Sequence, residues 1–300
     1  MGRLRAIVGV LLVSASTCLH VLPLLAAALV KAMVRIAPVR RSCDRLLIGI
    51  AENWIGVNTF LLRTCTHTYI DVRSSDIDVR SSEALTLKGR YLVLCNHQSW
   101  VDIPVLQAVF NRKIPFLRFF LKSELIWVPL LGLAWWALDF PFMKRHSRAA
   151  IARCPKLAGE DIETTRRACE KFQGIPISIL NFPEGTRLTL LKHASQKSPY
   201  RRLLKPKAGG VALVLETMKG GLDGILDVTV SYPEGSPSIA DLFADRVREV
   251  RVDITRCDIP ARLAQGDYAK DPAAQDEIRA FLNDLWAAKD ARLSSMRDAK

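Results

Sequence analysis

No two of the seven cysteines in this 300-residue chain stand in Cys-x-x-Cys spacing, so a zinc site has no framework here. Zinc-finger spacing, an RNA-binding aromatic signature and basic-region heptads are also missing, which makes nucleic acid a weak partner. There is no Gly-x-Ser-x-Gly elbow, which argues against chemistry through an acyl-serine. Residues 6–30 contain no Asp, Glu, Lys or Arg, and no clean cleavage site follows them, since Lys31-Ala32-Met33-Val34-Arg35 comes next. The odd number of scattered cysteines, several in apolar settings, points to reduced thiols in a cytosolic compartment. Cys95, beside a histidine motif, is expected to pack rather than react.

What is present is apolar and basic. Hydrophobic residues make up 49% of the chain, enough for a substantial core, and the formal charge is +13. A surface of that sign favours anionic partners such as acidic lipid headgroups or phosphorylated substrates. The charge-free run 6–30 is long enough to span a bilayer core, with His20 and Pro23 as its interruptions. Arg3 and Arg5 precede it, and Lys31, Arg35, Arg40, Arg41 and Arg45 follow, which places the bulk of the chain in the cytoplasm by the positive-inside rule. Leu46 to Leu62, punctuated by Glu52 and Asn53, reads as an interfacial amphipathic helix. The alternative is a helical hairpin in which neither piece crosses the membrane. Residues 1–62 are thus expected to form a membrane anchor and interfacial helix, and residues 63–300 the remaining domain.

Residues Ile70 to Ser82 hold Ile-Asp-Val-Arg-Ser-Ser twice, with Asp76 between the copies. Two copies are too few for a solenoid, and a surface hairpin or loop is expected. From Leu85 onward strands alternate with helices: strands at Leu92–Cys95, Ile175–Phe182, Ile225–Tyr232 and Val247–Ile254, helices at Asp102–Phe110, Ile162–Gln173 and Gly210–Met218. The very apolar Lys122–Leu138 run is expected to be a buried helix. Asp271-Pro272 begins a last helix that carries Ile278, Phe281, Leu282, Leu285 and Trp286 on one face. This pattern predicts an α/β fold, a mixed central sheet covered by helices with an N-terminal membrane-anchoring helical segment. Functional loops are expected at the carboxyl ends of strands.

Two clusters occupy such ends. Asn96-His97-Gln98-Ser99-Trp100-Val101-Asp102 follows one apolar strand, and Phe182-Pro183-Glu184-Gly185-Thr186-Arg187 follows another. His97 has the intrinsic basicity to take an alcohol proton near neutral pH. Asp102, one turn into the next helix, can accept the other imidazole N–H and hold the tautomer. Asn96 and Ser99 can order the turn and cap the helix. The turn's backbone N–H groups are candidate oxyanion donors. Glu184, Gly185, Thr186 and Arg187 form a candidate substrate-binding turn. Arg187 offers a planar fork for a phosphate, Gly185 permits close backbone approach, and Glu184 can hydrogen-bond a substrate hydroxyl or hold Arg187. Lys144, Arg145 and Lys207 can add positive potential. Each cluster by itself also fits an ordinary structural turn.

In combination, Asn96-His97-(x)4-Asp102 with Phe182-Pro183-Glu184-Gly185-Thr186-Arg187 resembles the glycerolipid acyltransferases, typified by 1-acyl-sn-glycerol-3-phosphate acyltransferase. Phe142-Met143-Lys144-Arg145 resembles the family's second block, although Asp139 replaces the glycine that starts it. Val230-Ser231-Tyr232-Pro233, at the place of the fourth block, departs from the usual pattern and is assigned no role. The resemblance covers Leu85 to Pro233. Phe140–Arg145, Leu203–Gly210 and Trp286–Asp290 look like a bacterial inner-membrane branch that is also similar to lysocardiolipin acyltransferases. Membership implies His97 as base, Asp102 as its partner, and Arg187, with Arg145, as phosphate ligands. It also implies an acyl-CoA or acyl-carrier-protein donor, a membrane-bound lysophospholipid acceptor, no cofactor beyond that co-substrate and no metal. The expected location is a bacterial inner membrane with the catalytic domain facing the cytoplasm.

Overall fold

A computed structural model describes residues 2–74, 85–143, 169–218, 220–265 and 271–298, with a few isolated positions between. The chain opens with two long helices, α1 (Gly2–Met33) and α2 (Ala37–Cys65), joined by a short link and packed on each other. His20, one of the two interruptions in the apolar run, is buried between them. Its Nδ1–H donates to the Ser16 carbonyl at 2.7 Å, and its Nε2 accepts from Asn53 of α2 at 3.1 Å. A polar clamp therefore adds to the apolar contacts that join the two helices.

The described strands are β1 (Tyr69–Ser74), β2 (Arg90–Cys95), β3 (Leu117–Phe119), β4 (Leu121–Lys122), β5 (Phe142–Met143), β6 (Ile177–Asn181), β7 (Gly224–Ser231) and β8 (Glu249–Cys257). Six of them form one sheet in the order β1-β8-β7-β2-β6-β3. β3, β6, β2 and β7 run parallel; β8 is antiparallel to β7, and β1 pairs parallel with β8. The sheet is mixed and buried on both faces, which is why its central strands read as continuous apolar runs. Tyr91, Val93 and Cys95 of β2 face one core, shared with α1, α2 and α3 (Asp102–Phe110). Leu92 and Leu94 face a second core, on the opposite side of the sheet.

Further described helices are α4 (Leu131–Ala137), α5 (Leu190–Gln196), α6 (Ala208–Thr217), α7 (Ile239–Phe243), α8 (Ala261–Gln265) and α9 (Pro272–Asp298). In α9, Ile278, Leu282 and Trp286 are buried and Phe281 and Leu285 pack beside them, as the periodicity predicts. The Asp271 carboxylate accepts the Ala273 N–H at 2.9 Å, the cap expected of Asp-Pro.

Two expectations need correction. Lys122–Leu138 is not one helix: β4 leads into a 3₁₀ turn (Ser123–Trp127), and α4 starts only at Leu131. Pro129 blocks continuation, Leu130 sits at φ 63°, and a Cβ on Gly132 would come 2.0 Å from the Ile126 carbonyl oxygen, so the chain doubles back tightly. Trp127 and Trp136 are exposed rather than buried. The first copy of the tandem repeat contributes Ile70–Ser74 to β1, held in register by β8. The second copy, residues 162, 164, 165 and 168 of the segment expected to be a helix, Lys144 and Arg145 lie outside the described residues.

α1 does not leave the domain. Arg5 pairs with Asp245 at 3.4 Å near one end, and Lys31 pairs with Asp44 at 2.6 Å and Asp139 at 3.1 Å near the other. Gly9 lets the helix approach α7, where a Cβ would stand 2.7 Å from the Phe243 ring. Leu4–Met33 is the one described segment long and apolar enough to cross a membrane. Its outward face exposes Leu4, Ile7, Leu11, Leu19, Leu22 and Leu29.

Candidate active site

The carboxyl ends of the adjacent parallel strands β6, β2 and β7 converge, and each delivers one part of the site. After β2 the Asn96 side chain pairs with the Val230 backbone in both directions, at 2.8 and 2.9 Å, which tethers the loop to β7. His97 then points its Nδ1–H at Asp102 Oδ2, 2.8 Å away. The same oxygen accepts the Gln98 and Ser99 N–H groups at 2.7 and 2.9 Å, and Oδ1 accepts the Tyr232 hydroxyl at 2.7 Å. Asp102 is fully buried, and four donors compensate its desolvation. Burial, and then the neighbouring carboxylate, push the Tyr232 phenol well up, so it stays a donor. With Nδ1 engaged, Nε2 is the imidazole nitrogen left to take a proton.

Asp102 therefore holds the whole loop, not only the ring. The helix has no side-chain cap: Ser99 Oγ accepts the Val101 N–H at 2.9 Å and donates to the Pro237 carbonyl, and Asn96 faces β7. Of the turn amides expected as oxyanion donors, Gln98 and Ser99 serve Asp102 and the His97 N–H serves Glu184. The sequence reading places Tyr232 in the segment of the fourth block and assigns it no role. A buried tyrosine at the end of an apolar strand is its only trace there, because nothing local links it to a residue 130 positions earlier.

The loop after β6 folds over His97. The Phe182 ring stacks on the imidazole with centroids 4.1 Å apart, and the Leu188 N–H donates to the His97 carbonyl at 2.8 Å. Gly185, at φ +67°, makes the turn that a side chain would strain. Glu184 corrects the expectation placed on it. It is fully buried, faces neither solvent nor Arg187, and spends its oxygens on the His97 N–H at 2.9 Å and the Leu204 N–H at 3.0 Å. It is a cross-link between two loops. Burial raises its carboxyl to about 7, opposed by those two N–H groups.

Arg187 lays its guanidinium over the Trp100 ring, 4.0 Å from the centroid. Among the described residues it makes no ion pair, so its hydrogen-bonding edge is available to an anion. Thr186 accepts from Lys192 Nζ at 2.7 Å, and the Lys192 Nζ also donates to the Arg187 carbonyl at 3.2 Å. Lys207 donates its backbone N–H to the Pro183 carbonyl at 2.8 Å, and its Nζ lies 3.2 Å from where a Gly185 Cβ would stand. Three cations thus surround the turn at Gly185–Arg187. Lys192 is one that sequence reasoning passed over, for want of any signal beyond a common surface lysine. Cys95 is buried, and burial pushes its thiol well up, which suits packing rather than nucleophilic attack.

α9 braces this assembly from the far side of the sheet. The fully buried Lys289 donates to the Val228 carbonyl at 2.6 Å and pairs with Asp227. Asp290 accepts the Arg201 and Arg202 N–H groups at 2.8 and 2.7 Å, fixing the loop that offers Leu204 to Glu184.

Residues 76–233 match the family model described as Acyltransferase. The chain is 26% identical over 234 residues to mouse 1-acyl-sn-glycerol-3-phosphate acyltransferase epsilon, covering 71% of this chain and 59% of that protein. It is 27% identical over 226 residues to zebrafish (Danio rerio) lysocardiolipin acyltransferase 1, covering 68% and 52%. The chain thus spans little more than half the length of these relatives. The crystal structure of the 1-acyl-sn-glycerophosphate acyltransferase PlsC from Thermotoga maritima has a similar fold, with a TM-score of 0.57 at 16% identity over 100% of this chain and 99% of that one.

Proposed function

Since the chain belongs to the acyltransferase family, we propose that it transfers a fatty acyl group from acyl-CoA or acyl-carrier protein to the free hydroxyl of lysophosphatidate or a related lysophospholipid. The carrying observation is the imidazole held by Asp102 at 2.8 Å in a loop hydrogen-bonded to the one that bears Arg187, which makes no ion pair among the described residues. His97 Nε2 takes the hydroxyl proton as the oxygen attacks the thioester carbonyl, without an acyl-enzyme intermediate. The carbon–sulfur bond breaks, the imidazolium returns the proton to the departing thiolate, and an ester and a free thiol result. Asp102 stabilises the transient imidazolium. Arg187 grips the acceptor phosphate, helped by Lys207 and, by resemblance, Arg145.

The same reading gives α1 and α2 a monotopic role. Both ends of α1 are ion-paired to the domain, so the helix lies along it with its apolar face in one leaflet, and basic residues such as Arg40 and Arg41 meet the headgroups. The proposed location is the cytoplasmic face of a bacterial inner membrane.

Purified protein in vesicles, given acyl-CoA or acyl-carrier protein and a panel of lysophosphatidate, lysophosphatidylglycerol and lysocardiolipin, is expected to form the diacyl product from at least one acceptor by mass spectrometry. Preference for lysocardiolipin would move the assignment to phospholipid remodelling. Binding without transfer to any acceptor would leave a non-catalytic lipid scaffold. Trp100→Ala is expected to raise the acceptor KM about fivefold, the worth of a contact of about 1 kcal/mol, with kcat nearly unchanged. A changed kcat at constant KM would remove Arg187 from phosphate binding.

A further inference from the structure

Leu190 and Leu191, at the start of α5, are 90% and 85% exposed. Neighbouring side chains do not cover them, yet the helix under them is fixed. Thr189 Oγ1 accepts the Lys192 N–H at 3.2 Å, His193 Nε2–H donates to the Tyr200 carbonyl at 2.6 Å, and Ser198 Oγ donates to the Leu203 carbonyl at 2.6 Å. A rigid support that holds two adjacent leucines in water needs an apolar occupant. Its position names one. Leu188, two residues earlier, is hydrogen-bonded to His97, and the half-exposed Trp100 ring belongs to the same loop. The segment that follows the leucines is basic, with Lys197, Arg201, Lys205 and Lys207 exposed and Lys192 half-buried. An apolar tip on a basic segment complements an anionic leaflet, where leucines enter the acyl-chain boundary and lysines stay among the headgroups.

We propose that the Leu190–Leu191 tip is a second bilayer contact, separate from the α1–α2 hairpin, that seats the mouth of the His97 site on the membrane. The inference rests on the lysophospholipid reading. It adds that the acceptor enters sideways from the leaflet, without passing through water. The hairpin supplies residence on the membrane, and the tip sets the orientation of the catalytic loops.

The test uses the full-length chain with Leu191→p-benzoylphenylalanine, bound to phosphatidylglycerol–phosphatidylethanolamine vesicles and irradiated, with Ala280→p-benzoylphenylalanine as control. Ala280 is exposed on α9, across the sheet from α1 and α2. Lipid adducts are expected at position 191 at several times the control yield. In parallel, Leu190→Ser with Leu191→Ser should lower kcat/KM on vesicle-embedded lysophosphatidate about tenfold and leave transfer to a monomeric short-chain analogue within about twofold. Equal adduct yields at 191 and 280 in vesicle-bound protein would overturn the proposal. So would an equal loss on both substrates. Adducts at 191 in a protein that transfers no acyl group would sink the proposed activity and leave the membrane contact standing.

Discussion

Replacing His97 with alanine is expected to lower kcat for acyl transfer by about three orders of magnitude or more, with the melting temperature almost unchanged. The ring brings a basic nitrogen to the site, and three of the four donors to Asp102 remain when it is removed. The loop is held through the His97 backbone, whose N–H serves Glu184 and whose carbonyl accepts from Leu188. Asp102→Asn sharpens the test. The amide oxygen can take the place of Oδ2 and keep the three N–H donors from His97, Gln98 and Ser99, while the amide nitrogen faces Tyr232, whose hydroxyl can turn to accept. Geometry and tautomer survive, and only the negative charge is lost. We expect kcat to fall by about two to three orders of magnitude, with acceptor KM nearly constant. Undiminished turnover in His97→Ala would falsify the general-base mechanism.

Glu184→Gln should show a different signature, with lower stability and lower kcat but an acceptor KM that hardly moves. One of the two backbone N–H groups would face an amide nitrogen in place of an oxygen, at a cost of about 2–3 kcal/mol for a buried, charge-assisted bond. Had Glu184 bound a substrate hydroxyl, the variant would melt normally and show a raised KM. Protonation separates the cases further. The native carboxyl titrates near 7 against an ordinary value of 4.5, chiefly through burial, with Asp102 adding repulsion and Lys289 opposing it. Between those two values the folded state binds the proton more tightly than the unfolded chain does. The stability this group contributes is therefore present in full below about 4.5, declines as pH rises to about 7 and is flat beyond it. Glutamine has no proton to exchange. The melting-temperature gap between wild type and Glu184→Gln should narrow across that pH range. A gap independent of pH would place the Glu184 titration elsewhere.

The parts of the fold legible in the sequence were those with a strong local signal. The apolar runs of β2, β6 and β7, the proline-initiated α9 and the helix beginning at Asp102 follow from periodicity and caps. The His97–Asp102 contact was legible because only the short turn 98–101 separates the two residues. What escaped was set by distance along the chain. Tyr232 reaches Asp102 only because β7 lies beside β2, and Glu184 meets Leu204 only because Asp290 of α9 holds the intervening loop. The apolar content of Lys122–Leu138 fits a helix as well as the observed turns. The pairing of Leu121 with Phe142, which breaks that segment into pieces, leaves no mark in composition.

The edge strand has a spare. Removing residues 70–76 would carry Ile77-Asp78-Val79-Arg80-Ser81 into the seats of Ile70–Ser74 beside β8, each side chain keeping its face. Most length changes at a sheet margin scramble the pairing, whereas a change by a whole unit here keeps the same residue type at each of the seats beside β8. Replication slippage at this spot can therefore alter copy number without selection against the fold, and length differences among near relatives should gather there.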